Sequence, residues 1–324
     1  MHAFFKAPHA KRLLLVSSLA IFGVTPVLSK PLPTGFFELR PSTDTIKDVT
    51  KTAGWLRPDV AGIAIRLDWN VIQPTSSTVY DWSYIDAVAA LAVQYGKQFS
   101  ILVEGGVSAP AWVYQAGPDG NGSSQFTVTG KGVMPAPWDP NFQRRWSTFL
   151  TAMGTRYDAM ANLSYVISTG QGYGGQATLC KSYADDAELD AVGGINVWVN
   201  AFVSIVGLYV NAFPQTPLIV NIGAPLYPNL LGGFKTATGL CLTSYGTHFG
   251  IKNNGLCPTS STTGWQASEI NALSPTNPVG FQMLAASATA TDLANSIEIG
   301  EIIGSNLFEV YSSDLKLVSD LTTL

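Results

Sequence analysis

Histidine and cysteine are nearly absent from this chain. Of its 324 residues three are His and three are Cys, and charged residues make up only 12% against 46% hydrophobic ones. His2 and His9 lie at the extreme N-terminus, which leaves His248 alone in the rest of the chain. A multi-histidine metal site is thereby excluded, and neither a metal nor an organic cofactor is expected. His248 itself, at the start of an apolar run, reads as a hydrogen-bonded core residue. The three cysteines, Cys180, Cys241 and Cys257, fall in predicted loops and leave two readings open. One is a single Cys241–Cys257 bridge with Cys180 free, and the other is three unpaired thiols.

Runs of positive charge are missing too. Setting aside Lys6, Lys11 and Arg12 near the N-terminus leaves 15 basic residues against 22 acidic ones, a net charge of −7. With no basic arm or stripe, nucleic acid is not an expected partner.

Long hydrophobic runs are few. The first, Leu13 to Val24, follows Lys6, Lys11 and Arg12 and ends at Thr25 and Pro26, with small residues near Ser29. It falls short of the about 20 residues that a membrane span needs and has the layout of a secretory leader. The leader is expected to cover residues 1–29 and to be cleaved after Ser29, which makes the remainder, 30–324, a secreted or periplasmic protein without a membrane association. The second run, Val197 to Phe213, is broken by Asn200, Ser204 and Asn211 and reads as a buried helix.

From residue 35 onward, short apolar runs alternate with longer stretches of helical periodicity. Eight runs can be placed: Phe36 to Arg40, Gly62 to Trp69, Phe99 to Gly105, Ser164 to Thr169, Leu218 to Gly223, His248 to Asn253, Val279 to Leu284, and Leu307 to Tyr311. Between them, Ile85, Val88, Ala92 and Tyr95 share one helix face, as do Phe142, Trp146, Phe149, Met153, Tyr157 and Met160. Alternation of this kind implies a parallel sheet. Eight strands with eight following helices, the last from Leu315 to the C-terminus, predict a single-domain α/β fold, the (β/α)8 TIM barrel.

Successive strand residues point to opposite faces, so strand parity sorts the polar residues. In GIAIRLDW, Ile63, Ile65 and Leu67 are expected to face the helices, with Ala64, Arg66 and Asp68 facing the axis. The same rule turns Glu104, Gln282, Glu309 and Tyr311 inward, and Glu38 and Arg40 are placed inward on the first strand. Polar residues at the C-terminal strand ends collect at the mouth where barrel enzymes build their sites.

The stretch RLDWNVIQPTSSTVYDWSYIDAVAALAVQYGKQFSILVEGGVSAPAWV, Arg66 to Val113, resembles the second and third units of glycoside hydrolase barrels of the β-galactosidase-like and cellulase-like clan. The likeness continues through PWDPNFQRRWSTFLTAMGTRYDAMANLSYVISTG, Pro137 to Gly170, and ends on LFEVYSSDL. It implies a carbohydrate-active barrel whose partner is an oligo- or polysaccharide with β-linkages. Sugar rings pair apolar faces with hydroxyl edges, so their cleft needs aromatic platforms, here Trp69, Trp112, Trp138 and Tyr173, with Trp55, Trp82 and Trp146 left to the core. It also needs polar partners, for which Glu38, Arg66, Gln171, Asn221, Asn254, Gln282 and Tyr311 are the candidates.

Hydrolysis further requires two carboxyl groups about the scissile bond. In the clan an acid/base glutamate follows strand four and a nucleophile ends strand seven. This chain departs at both places, with Gln171 and Gln176 in STGQGYGGQATL and Gln282 in PVGFQML. Three readings follow: a non-catalytic glycan-binding or cell-surface interaction protein, a takeover of catalysis by other carboxylates, or a substrate-trapping replacement at Gln176. For a takeover the expected pair is Glu104 with Glu309, which belong to strands three and eight. The same two residues are equally open to a scaffolding role as ion-pair partners of Arg66 or Arg40. The glycine-rich Gly170 to Gly175 lacks the lysine and spacing of a phosphate loop and reads as a loop at the cleft edge.

Overall fold

A computed structural model describes residues 30–117, 120–223 and 228–324, and the expected leader lies outside them. Eight parallel strands close into a barrel in simple sequential order: β1 (Gly35–Leu39), β2 (Val60–Asp68), β3 (Gln98–Glu104), β4 (Leu163–Ser168), β5 (Leu218–Ile222), β6 (Phe249–Leu256), β7 (Val279–Met283) and β8 (Leu307–Tyr311), which pairs back onto β1. This is the (β/α)8 TIM barrel that the alternation implies.

Two apolar layers result from the pleat. Ile63, Ile65 and Leu67 of β2, Phe99, Ile101 and Val103 of β3, and their counterparts on the other strands pack outward on the helices. Phe37, Leu39, Ala64, Leu102, Tyr165, Ile167, Ile219 and Leu307 fill the barrel itself. Among the long helices, Pro140–Tyr157 shows the local logic well. Asp139 caps it by accepting from the Phe142 amide at 2.8 Å, Pro140 starts it without losing a bond, and Phe142, Trp146, Phe149, Leu150 and Met153 form its buried face. Met160 lies past the end of that helix and is 38% exposed, outside the stripe expected for it. The apolar helix Ile195–Ala212 is long and apolar enough to cross a membrane by length and composition alone. It packs against Pro140–Tyr157 and Pro228–Tyr245, burying Trp198, Phe202 and Tyr209.

One expectation needs correcting, one element was not expected, and one open choice is decided. The eighth helix is absent, and the chain after β8 makes only the 3-10 turns Asp314–Lys316 and Leu321–Thr323. There the Leu315 and Val318 carbonyls accept from the Arg57 guanidinium, and the Leu321 amide donates to Asp59. An antiparallel hairpin that the periodicity did not suggest, Gln125–Val128 with Gly132–Pro135, stands between β3 and β4. Finally, of the two readings open for the cysteines the structure has the second: Cys180, Cys241 and Cys257 are all free thiols, the first two buried.

Candidate functional site

A cavity of about 340 Å³ opens at the C-terminal mouth of the barrel. Its floor comes from the inward residues at the strand ends: Arg66 of β2, Leu102 and Glu104 of β3, Asn221 of β5, Asn254 of β6 and Gln282 of β7. Its wall is the glycine-rich segment after β4, with Tyr173, Gly174, Gly175 and Gln176, and Lys131 from the hairpin turn. Glycine is needed where this wall meets the chain just after β3. A Cβ on Gly106 would stand 2.4 Å from the Gly172 carbonyl, and one on Gly175 would stand 3.2 Å from a Glu104 carboxylate oxygen. Close approach of two backbones brings the loop down on the strand end, where the Val107 amide donates to the Tyr173 carbonyl at 2.9 Å.

Among the described residues Glu104 is the one carboxyl group lining this cavity. Burial raises its pKa above the ordinary value, and the neighbouring Asp68 adds to the rise, while Arg66, the Gly175 amide and Lys131 oppose it. Asp68 is its direct partner in register across β2 and β3, so the two residues sit side by side on adjacent strands. Ser108 Oγ donates to Asp68 at 2.9 Å.

Neutral amides dominate the rest. Arg66 donates to the Gln282 side-chain oxygen, so the guanidinium is held by a neutral group. Asn221 donates to the Gly175 carbonyl at 2.7 Å, while its own side-chain oxygen, like that of Asn254, is buried without a hydrogen-bond partner among the described residues. A buried acceptor left open in this way asks for a donor from a bound molecule or water.

Seven of the expected site residues therefore line one cavity: Arg66, Glu104, Tyr173, Gln176, Asn221, Asn254 and Gln282. The others lie elsewhere. Glu309 sits inside the barrel, 2% exposed, where it pairs with the Lys252 ammonium and accepts from Tyr165 Oη at 2.8 Å. It does not line the cavity opposite Glu104, and its partner is Lys252 rather than Arg66 or Arg40. Tyr311 lines a separate groove with Leu39, Arg40 and Ser312.

Glu38 points outward, not toward the axis. Laterally paired residues share a face, and Glu38 pairs with Val310 and Ile63, both outward, whereas Phe37 pairs with Glu309. Its carboxylate accepts from the Gly54 amide at 2.8 Å, Arg40 at 2.9 Å and Ser312 Oγ at 2.5 Å, which explains how a carboxylate survives there. Arg40 turns away from the axis with it.

Trp69 is fully buried in the helix layer rather than at the mouth. Its ring meets Trp146 at 4.6 Å and its Nε1 donates to Gln73 Oε1 at 2.8 Å. Trp112 is tied to the Gln73 carbonyl at 2.8 Å and borders a different surface hollow, with Arg144 and Arg145. Trp138 packs edge-on against Phe126 of the hairpin at 5.6 Å. Gln171 is buried, donates to Ser168 Oγ at 2.5 Å and does not line the cavity. Of the four proposed platforms only Tyr173 reaches it.

Sequence reasoning passed over Lys252. It occupies the inward row of β6 between Gly250 and Asn254, so the parity that placed Glu104 also places it. Burial pushes this ammonium down to about 8, with Glu309 opposing. His248, by contrast, is the buried core residue expected, with Nε2 2.9 Å from the Thr216 carbonyl oxygen.

Compared with protein-family models and with curated proteins, the chain matches none.

Proposed function

We propose that this barrel holds hydroxyl-rich sugar chains at its mouth without cleaving them. The observation that carries this reading is the lining itself, in which the amides of Gln176, Asn221, Asn254 and Gln282 surround a single carboxyl group, Glu104. Each amide offers both donors and an acceptor, the pairing that a sugar hydroxyl needs, and Tyr173 supplies an apolar face. The resemblance of Arg66 to Val113 to glycoside hydrolase units supports the same ligand class, and the basic-then-apolar start of the chain supports a place outside the cytoplasm. Binding is tested by calorimetry of the intact chain with oligomers of β-glucan, xylan and galactan. Asn221→Ala and Gln176→Ala are each expected to weaken the best binder by roughly tenfold, the effect of about 1.4 kcal/mol. No heat with any oligosaccharide overturns the reading.

Hydrolysis is the second reading, favoured by one observation: Glu104, displaced toward its protonated form, has Asp68 beside it in register. A raised carboxyl suits a general acid, and Asp68 is the second carboxyl group that the register sets beside it. Aryl β-glycosides distinguish the two readings. Activity in the parent that falls by about 10² to 10⁴ in Glu104→Gln favours the enzyme. Activity that arises only in Gln176→Glu and vanishes when Glu104→Gln is added shows a binder one substitution from catalysis.

A further inference from the structure

Three cations meet at the mouth of this otherwise acidic chain. Arg66 and Lys131 line the cavity, and Lys181 stands beside it. Both lysines flank the same ring, with Nζ of Lys131 5.3 Å and of Lys181 5.7 Å from the centre of Tyr173. Elsewhere four cations are matched by carboxylates, Arg40 with Glu38 and Asp44, Arg57 with Asp59, Arg156 with Asp86 and Lys252 with Glu309, and others such as Lys30 and Lys97 are tied to backbone carbonyls. Arg66, Lys131 and Lys181 form no ion pair with any described residue.

Their placement is built. Lys131 rides on a hairpin turn between Gly130 and Gly132, whose φ angles of 68° and 118° suit glycine. A single buried carboxylate, Asp185, fixes both lysine backbones. It accepts from the Thr129 amide at 3.1 Å, two residues before Lys131, and from the Lys181 amide itself at 2.7 Å. Asp185 also accepts from Ser182 Oγ at 2.7 Å, so its charge is spent on local donors. The carboxyl group that lines the cavity with these cations is Glu104, which burial displaces toward its neutral form.

We infer that the mouth selects sugar chains carrying negative charge, with Lys131, Lys181 and Arg66 receiving the carboxylate of a uronic acid or a sulfate ester while Tyr173 and the amides hold the ring. This rests on the sugar-binding reading above and adds the ligand's charge to it. An anion at this place meets three unpaired cations in a partly enclosed cavity, where charge is screened less than on open surface.

The experiment compares oligogalacturonate, a sulfated galactan oligomer and an uncharged galactan oligomer of equal length by calorimetry at low and at physiological salt. At low salt one of the charged oligomers is expected to bind at least roughly tenfold tighter than the uncharged one, and to lose that advantage as salt rises. Whichever of the two binds better identifies carboxylate or sulfate as the group received. Lys131→Gln and Lys181→Gln are each expected to weaken the charged oligomer several-fold more than the uncharged one.

Three outcomes overturn the inference. The uncharged oligomer binds as tightly as the charged ones. The lysine variants weaken both ligands alike. Polyglutamate binds as well as oligogalacturonate, which shows charge capture without a sugar site. If no oligosaccharide binds at all, charged or not, the sugar-binding reading falls and this inference with it, whereas tight uncharged binding removes the inference alone.

Discussion

Glu104 is pulled two ways. Burial and Asp68 favour its neutral form, while Arg66, Lys131 and the Gly175 amide favour the charged one, and the first two prevail. A carboxyl whose folded pKa is raised lends stability that is complete below its ordinary value of 4.5 and is lost as pH climbs through the folded value. Glu104→Gln removes that loss. Thermal unfolding of parent and variant is therefore expected to show the variant gaining Tm over the parent as pH rises from acid to neutral, and a constant difference at all pH values would show that Glu104 keeps an ordinary pKa. Its position was legible from the sequence, because parity along ILVE leaves it no other face. The same rule, carried one residue past Asp68, puts Trp69 outward with Leu67, but the pull of a tryptophan toward a sugar cleft outweighed the pleat. On β1 polarity misled in the same way: Glu38 looked like an axis residue, and only the lateral pairing of Phe37 with Glu309 reveals which face it takes.

At the scale of elements, the hairpin is the piece that the sequence hid. Its strands, QFTV and GVMP, are four residues each, too short for alternation to stand out, and Gly130 and Gly132 with Pro135 read as loop. What holds it is tertiary: Asp185, 2% exposed on the helix Tyr183–Ala191, accepts from the Thr129 amide at 3.1 Å and also from the Thr129 hydroxyl. No local pattern advertises a contact between residues so far apart in the chain. Asp185→Ala is expected to release the hairpin at a cost of about 1.5–3 kcal/mol, the worth of hydrogen bonds to a charged group. Amide exchange across residues 125–135 should quicken while the eight barrel strands keep their protection. Uniform quickening over the barrel would mean that Asp185 supports the whole fold, and unchanged exchange would mean that the hairpin stands without it.

Closure of the barrel is the feature of the whole molecule that the sequence showed most clearly, since eight apolar runs of the right spacing leave few other parallel arrangements. What fills the closed barrel was less legible, because Lys252 was passed over while Glu309 was expected at the mouth. The interior joins three strands through one polar cluster: Glu309 of β8 receives the Tyr165 hydroxyl of β4 at 2.8 Å and pairs with Lys252 of β6. Both charged groups lie among Phe37, Tyr165, Ile219 and Leu307 with almost no contact with water. Removing one charge strands the other, so Glu309→Gln and Lys252→Met are each expected to destabilise the fold by about 3–5 kcal/mol. The double variant removes both charges and keeps an acceptor for Tyr165 in the glutamine oxygen. It is expected to be far more stable than the sum of the two single losses implies, with a coupling of about 1–3 kcal/mol or more in urea unfolding. Additive losses would show that the two charges are solvated independently and that the ion pair does not bind the barrel together.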